Sequence, residues 1–271
     1  MNNDSLLHMN CLEWLKYSDY EYVADKNGEL YIKPTADSVL KIYDPSPLLT
    51  DMMLDAVNIG YGAYLLSLST VELQKKVLTF IKKYGLLGLI NAFTISGDYS
   101  KDLSVEFRDF SCFNKDTLKT KEYIKLFSHF GNYNNAEKDK NVITLVALTR
   151  PLSYIFIFSK EYSEKYDWIL YVFKKLAKVI QMSQTYAEQQ FEISGLSFVV
   201  KTGESASIVW NFTSLSQGID TVLGFYIANQ NTPLRSCKHC SKVFVAKLAS
   251  TEFCSSQCRN QFNVYKSRGK K

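Results

Sequence analysis

The chain has 271 residues, of which 46% are hydrophobic and 22% charged, and only 12 are glycine and 5 proline. This length and composition allow a sizeable core in one or two domains, and they exclude a disordered or fibrous protein. The formal net charge is +5, but from Arg235 onward nine Lys and Arg face a single acid, Glu252, so the basic charge is concentrated at the carboxyl end.

The cysteines and the apolar runs indicate the cellular compartment of the protein. The amino terminus lacks a basic stretch followed by an apolar one, and runs such as Ile155–Phe158 and Trp168–Phe173 are too short to span a bilayer. We therefore expect a cytoplasmic protein, in which its six cysteines would not form a disulfide framework. Cys11 and Cys112 stand alone and are expected to pack as small apolar residues.

Local signals in the first third of the chain predict a hairpin and two helices. Apolar residues alternate on both sides of Asn27-Gly28, which favours a tight turn within residues 21–34. Leu48–Tyr64 has apolar residues at helical spacing. Ser69 followed by Glu72 is typical of a capping box, so a second helix is expected to begin there and to end near Gly85.

The rest of the chain mixes helical and strand patterns without a regular alternation. In chain order we predict a helix at 117–130, strands at 142–148 and 153–158, a helix at 161–190, strands at 196–200 and 206–212, and a helix capped by Thr213 or Ser214. This order favours an α+β fold of helices and antiparallel hairpins over a parallel nucleotide-binding sheet. Residues 229–233 predict the boundary between an α+β body of unknown role at 1–232 and a small module at 233–271.

Four cysteines in the small module have the spacing of a structural metal site. Cys237 and Cys240 are separated by two residues, and Cys254 and Cys258 by three, with thirteen residues between the pairs. A close pair lets two thiolates converge from one tight turn, and the intervening residues suffice for a short hairpin before a helix capped by Ser255. We predict a treble-clef finger with one zinc ion, and favour it over an iron–sulfur cluster. His239 is expected to point to solvent or a phosphate, since the four-cysteine set is already complete.

The finger resembles a known family over about 35 residues. Residues 234–244 (LRSCKHCSKVF) and 252–261 (EFCSSQCRNQ) are similar to the carboxyl-terminal finger of bacterial CGNR-type and related FCSxxCRN zinc-finger proteins. In that family an α+β domain of poorly known role precedes the finger. The resemblance implies DNA binding by the finger and a role in transcription regulation.

The last helix is expected to turn one face to the metal and another to a partner. At helical spacing, Cys258, Phe262 and Tyr265 would face the metal and pack on Phe244 and Phe253. The outward residues expected to contact nucleic acid are Arg259, Asn263, Lys266, Arg268 and Lys270. DNA is the expected partner, RNA is an alternative nucleic acid, and a protein is the alternative if the finger serves only for docking.

The body carries no recognisable catalytic motif, so we do not expect an enzyme. Nucleotide-binding, metalloprotease and serine-hydrolase motifs are all missing from the sequence, and its three histidines are scattered. Aromatic residues such as Tyr61, Phe80 and Tyr84 are expected in the core, with a ligand pocket of a sensor domain as the alternative.

Overall fold

The computed structural model describes residues 10–11, 14–25, 27–89, 92–96, 104–107, 163–183, 197–202, 207–212, 214–229, 234–248 and 250–269. The elements predicted at 117–130, 142–148 and 153–158 lie outside these residues, as do the predicted boundary positions 230–233. The division into 1–232 and 233–271 therefore stays a prediction.

The described residues form an α+β fold of helices and small sheets. After a 3-10 turn at Ser46–Leu48, the helices are α1 (Leu49–Tyr64), α2 (Thr70–Tyr84), α3 (Tyr166–Ser183), α4 (Leu215–Ala228) and α5 (Ser256–Arg268). The strands are β1 (Asn10–Cys11), β2 (Trp14–Tyr17), β3 (Tyr20–Ala24), β4 (Leu30–Pro34), β5 (Leu40–Tyr43), β6 (Ala92–Ser96), β7 (Ser104–Phe107), β8 (Glu164–Lys165), β9 (Ser197–Lys201), β10 (Ser207–Asn211), β11 (Leu234–Ser236) and β12 (Val243–Val245). None of the described helices combines the length and apolar character that a membrane crossing needs.

The strands pair into small sheets that are mostly antiparallel, as expected. The sheet orders among the described residues are β1-β10-β9, β2-β5, β3-β4-β8, β6-β7 and β11-β12. The two-residue β1 pairs with β10 in parallel, and the other described pairs are antiparallel. The predicted first hairpin is confirmed as β3-β4, with Gly28 at a φ of 80° in its turn. A positive φ of this kind is readily adopted by glycine.

The helix boundaries follow their predicted caps. Ser69 and Glu72 form the reciprocal capping box at the start of α2, and Gly85, with a φ of 93°, ends that helix. At α4 the Ser214 side chain accepts a hydrogen bond from the backbone N–H of Gln217, so Ser214 rather than Thr213 is the cap. These side chains satisfy amides that the first turn of a helix leaves without partners.

Helix α1 lies at the centre of the core and packs against α2, α3 and α4. It approaches α3 tightly at Gly60, where an added Cβ would lie 1.9 Å from the backbone oxygen of Phe173. The predicted core role of Tyr61, Phe80 and Tyr84 is confirmed, since all three are buried in this cluster. The bulk of the core therefore depends on helices that meet around α1.

The long helix predicted at 161–190 is wrong at its start. Glu164 and Lys165 form β8, which pairs with β4, and helix α3 begins only at Tyr166. The reason is tertiary: Glu164 is fully buried, and its carboxylate accepts hydrogen bonds from the backbone N–H groups of Leu87 (2.9 Å) and Leu89 (2.8 Å). A buried carboxylate needs such donors, and the extended backbone brings Glu164 to them.

Candidate metal centre

The finger begins with a hairpin whose tip carries the first two cysteines. Strands β11 and β12 pair with Ser236 opposite Val243, and residues 237–242 connect them. The Cys237 N–H donates to the Lys242 carbonyl at 2.9 Å, and the Ser241 N–H donates to the Cys237 carbonyl at 2.9 Å. Ser241 closes the turn with a φ of 60°. The tight turn thus brings Cys237 and Cys240 side by side.

The hairpin is not where the sequence pattern placed it. We expected a short hairpin inside residues 241–253, but β12 pairs backward with β11, and the described residues from Ala246 to Phe253 contain no strand. Burial explains the difference, because Val243 on β12 is only 2% exposed and joins the hydrophobic core of the body. Strand β12 therefore forms the hairpin that carries the first ligand pair and also packs in the core of the body.

The second ligand pair is tied to the first through residues just before α5. The Lys238 N–H donates to the Glu252 carbonyl at 3.0 Å, and the two side chains form an ion pair. Ser255 caps α5 by accepting a hydrogen bond from the Cys258 N–H at 3.2 Å, as predicted. Cys254 and Cys258 therefore flank the start of the helix and face the turn at the hairpin tip.

The four cysteine sulfurs meet in one cluster that is able to hold a metal ion. The Sγ atoms of Cys237, Cys240, Cys254 and Cys258 all lie within 4.8 Å of one another. Cys254 Sγ is 3.6 Å from Cys240 Sγ and 3.5 Å from Cys258 Sγ. Four sulfurs around a tetrahedral ion with bonds of about 2.3 Å would be about 3.8 Å apart. The donor set and its spacing therefore fit a single four-coordinate ion.

The thiols of the cluster respond to their surroundings in opposite ways. Burial opposes ionisation of Cys237, but backbone amides of Cys240, Cys254 and His239 hydrogen-bond its sulfur and lower its pKa to about 6. Burial and the neighbouring sulfurs raise the pKa of Cys254 to about 12. The amide hydrogen bonds thus favour a thiolate at Cys237, whereas a thiolate at Cys254 is disfavoured unless a cation lies among the sulfurs.

The finger docks on the body through α1. Asn58 Oδ1 accepts from the Val243 N–H at 2.7 Å, while Asn58 Nδ2 donates to the Val243 carbonyl at 3.0 Å. The Ser236 side chain also hydrogen-bonds the Tyr61 hydroxyl. Sequence reasoning missed this contact. Its one visible signal was a polar Asn58 near the apolar stripe of a helix, which does not identify a partner.

The residues predicted to contact nucleic acid lie on an exposed helix. No residue of α5 is buried, and its positions predicted for nucleic acid are exposed wherever the structure describes them, namely Arg259, Asn263, Lys266 and Arg268. Lys270 lies outside the described residues. Their exposure leaves them accessible, and their contact with nucleic acid stays a prediction.

The inner face of α5 is only partly as expected. The rings of Phe253 and Phe262 pack at 5.3 Å between centroids, as predicted. Tyr265 is 62% exposed and stacks on His239 with centroids 5.8 Å apart and ring planes 18° apart. It therefore turns toward the hairpin tip, as its spacing from Cys258 predicts, but its ring partner there is His239 and its side chain stays largely exposed.

Comparisons of the chain with known protein families, curated proteins and solved structures found no match. The resemblance to CGNR-type proteins therefore rests on the quoted motifs of the finger.

Proposed function

We propose that the carboxyl-terminal finger holds one structural zinc ion and presents α5 to DNA, as in a transcription regulator. The observation that carries the proposal is the position of α5, which is joined to the sulfur cluster and exposes its basic residues. Cys258 anchors its first turn in the sulfur cluster, while Arg259, Lys266 and Arg268 stand exposed on its surface. A helix that is fixed at its first turn and exposes basic side chains is suited to binding phosphates.

Zinc is the ion that suits this donor set best. Four thiolates at tetrahedral spacing are typical of closed structural zinc sites. The ion would neutralise the thiolates and join the hairpin to α5, since the ligands come from both elements. Thiols that remain reduced also agree with a cytoplasmic location, where we place the protein.

Metal analysis tests the first half of the proposal. Protein purified without added metal should contain one zinc per chain by mass spectrometry under native conditions and by elemental analysis. Cys258→Ser should lose most of the bound zinc, whereas Cys11→Ser, outside the cluster, should retain it. Iron with a visible charge-transfer band, or full folding of the finger without metal, would contradict the zinc assignment.

The basic stripe supports the DNA half of the proposal. At about 100° per residue, Arg259, Asn263 and Lys266 fall on one side of α5, away from Cys258. The segment from Arg235 to the end of the chain carries nine Lys and Arg against one acid, and the remainder carries 23 against 26. This asymmetry directs a polyanion to the finger rather than to the body.

DNA binding is best measured by fluorescence anisotropy across a salt series. The double variant Arg259→Ala with Lys266→Ala should lose two phosphate contacts. The slope of log affinity against log salt should therefore become shallower by about 1.8. The matched control is Lys75→Ala with Lys76→Ala, two exposed lysines of α2 on the body. Equal binding by both double variants would show that Arg259 and Lys266 of α5 do not contact phosphates.

A protein partner is the second candidate for the same finger. Besides Tyr265, the finger exposes the aliphatic side chains of Leu248, at 67%, and Val264, at 46%. Exposed apolar residues of this kind occur at docking sites. Absence of DNA binding, together with affinity for a protein partner that Leu248→Asp abolishes, would favour this second role.

A further inference from the structure

The finger carries a stacked pair of aromatic rings at its hairpin tip. Tyr265 lies on α5, and His239 lies at the hairpin tip between the first two cysteines of the cluster. The imidazole covers one face of the tyrosine ring, with planes 18° apart, yet 62% of Tyr265 remains exposed. An aromatic ring that is both stacked and largely open to solvent offers a surface to a further flat group.

The pair is held in place from both sides. The backbone N–H of His239 hydrogen-bonds the Cys237 sulfur, which fixes the hairpin tip. Cys258 fixes the start of α5, two helical turns before Tyr265. The cysteine cluster therefore sets the distance between the two rings, and the stack is preorganised before any partner binds.

Tyr265 lies on a different side of α5 from the basic stripe. At about 100° per residue, Tyr265 is about 100° from Lys266 and about 120° from Arg259. Its neighbours one turn away are Gln261 and Arg268, about 40° and 60° from it, and both are exposed. The aromatic side of the helix thus has its own amide and its own cation.

We infer that the His239–Tyr265 pair stacks on an unpaired base of single-stranded DNA, with Arg268 beside the adjoining phosphate. This inference rests on the proposed DNA-binding function and makes it more specific. In a duplex each base is already stacked on both faces, whereas a single strand offers free faces to aromatic side chains. The strongly basic finger favours a polyanion over other flat ligands, and nucleic acid combines both features.

The test compares single-stranded and duplex DNA on the full-length, zinc-loaded protein. A fluorescent 15-nucleotide oligothymidylate should bind more tightly than a hairpin duplex of equal phosphate number, measured by anisotropy at one salt concentration. Tyr265→Ala should weaken binding of the single strand by about 5- to 100-fold and leave the duplex within about twofold. Tyr265→Phe keeps the ring and should stay within about twofold of wild type on both DNAs, since stacking needs only the π-face.

Controls separate the failure of this inference from the failure of the proposed function. Unchanged zinc content and circular dichroism show that Tyr265→Ala is folded, and Arg259→Ala with Lys266→Ala should weaken both DNAs together. If wild type binds neither DNA, the proposed function fails and this inference with it. If Tyr265→Ala binds the single strand like wild type, or the duplex binds as tightly as the single strand, only the stacking is overturned. Tighter binding of oligouridylate than of oligothymidylate would overturn DNA as the partner.

Discussion

The Asn58 side chain of α1 hydrogen-bonds both backbone groups of Val243 in the finger. Its Oδ1 accepts from the Val243 N–H, and its Nδ2 donates to the Val243 carbonyl. The same Nδ2 group also donates to the Leu54 carbonyl at 2.7 Å, which fixes the amide orientation. Because Val243 is buried in the core of the body, the hairpin that carries Cys237 and Cys240 packs directly against the body. The metal site and the body are therefore expected to stabilise each other.

Replacing Asn58 tests this coupling. Asn58→Ala leaves the N–H and carbonyl of Val243 without their side-chain partner, and a lost partner for a buried group costs about 1–3 kcal/mol. We expect the free energy of unfolding to fall by about 2–4 kcal/mol, as measured by urea titration. Zinc should also transfer several-fold faster to a chromophoric chelator, because the undocked hairpin holds its ligands less firmly.

The control for Asn58→Ala is Asn263→Ala, an exposed asparagine of α5. Its loss should change the free energy of unfolding by less than about 0.5 kcal/mol. If Asn58→Ala releases zinc at the wild-type rate while the body is destabilised, the two parts fold independently and the coupling is absent.

Ser241 offers a way to strengthen the turn that holds the first ligand pair. Its φ of 60° is unfavourable for a residue with a Cβ and suits glycine. Ser241→Gly should raise the free energy of unfolding of the zinc-loaded protein by about 0.5–1 kcal/mol, measured by urea titration. Ser241→Ala removes the hydroxyl but keeps the Cβ, so it should give no gain. Equal stabilities of the two variants would show that the backbone strain is negligible.

The helix crossing at Gly60 predicts a large effect from one methyl group. Gly60→Ala would place a Cβ 1.9 Å from the Phe173 carbonyl oxygen, which is backbone and must move with α3. We expect a loss of about 3 kcal/mol or more, seen as a lower melting temperature. In Gly62→Ala the nearest atom is a Leu68 methyl at 2.6 Å, on a side chain that can rotate. This control should stay within about 1 kcal/mol of wild type, and equal losses would exclude the crossing as the cause.

Elements with local signals could be predicted from the sequence. The β3-β4 hairpin follows from Asn27-Gly28, and α2 follows from the capping box of Ser69 and Glu72, since each signal lies within a few residues. The cysteine cluster was predictable for the same reason, because paired cysteine spacing is itself the signature of the site.

Features that depend on distant partners were not predictable in this way. The buried carboxylate of Glu164 meets Leu87, 77 positions away in the chain, and Asn58 meets Val243 across 185 positions. Neither pair leaves a pattern in a local window, so β8 was taken for helix and the docking contact was missed. The helical period placed Tyr265 near the metal, but only the tertiary position of His239 decides where its ring lies.

Asp220 of α4 predicts how stability depends on pH. Burial desolvates its carboxylate and raises its pKa to about 6, and the positive charge of Lys175 offsets only part of this effect. In the unfolded chain the pKa returns to its usual value near 3.9, so protonation favours the folded state. Its contribution to stability is therefore complete below about pH 4 and is lost as pH rises through about 6.

Asp220→Asn removes the ionisation and isolates this effect. At pH 7.5 the variant should be more stable than wild type by about 1–3 kcal/mol, and the difference should vanish near pH 4. Urea titrations between pH 4 and 8 measure both limits. Asp37→Asn, at an exposed turn, is the matched control and should stay within about 0.5 kcal/mol of wild type throughout. A difference between Asp220→Asn and wild type that does not change with pH would mean that the carboxylate stays charged in the folded protein because solvent reaches it.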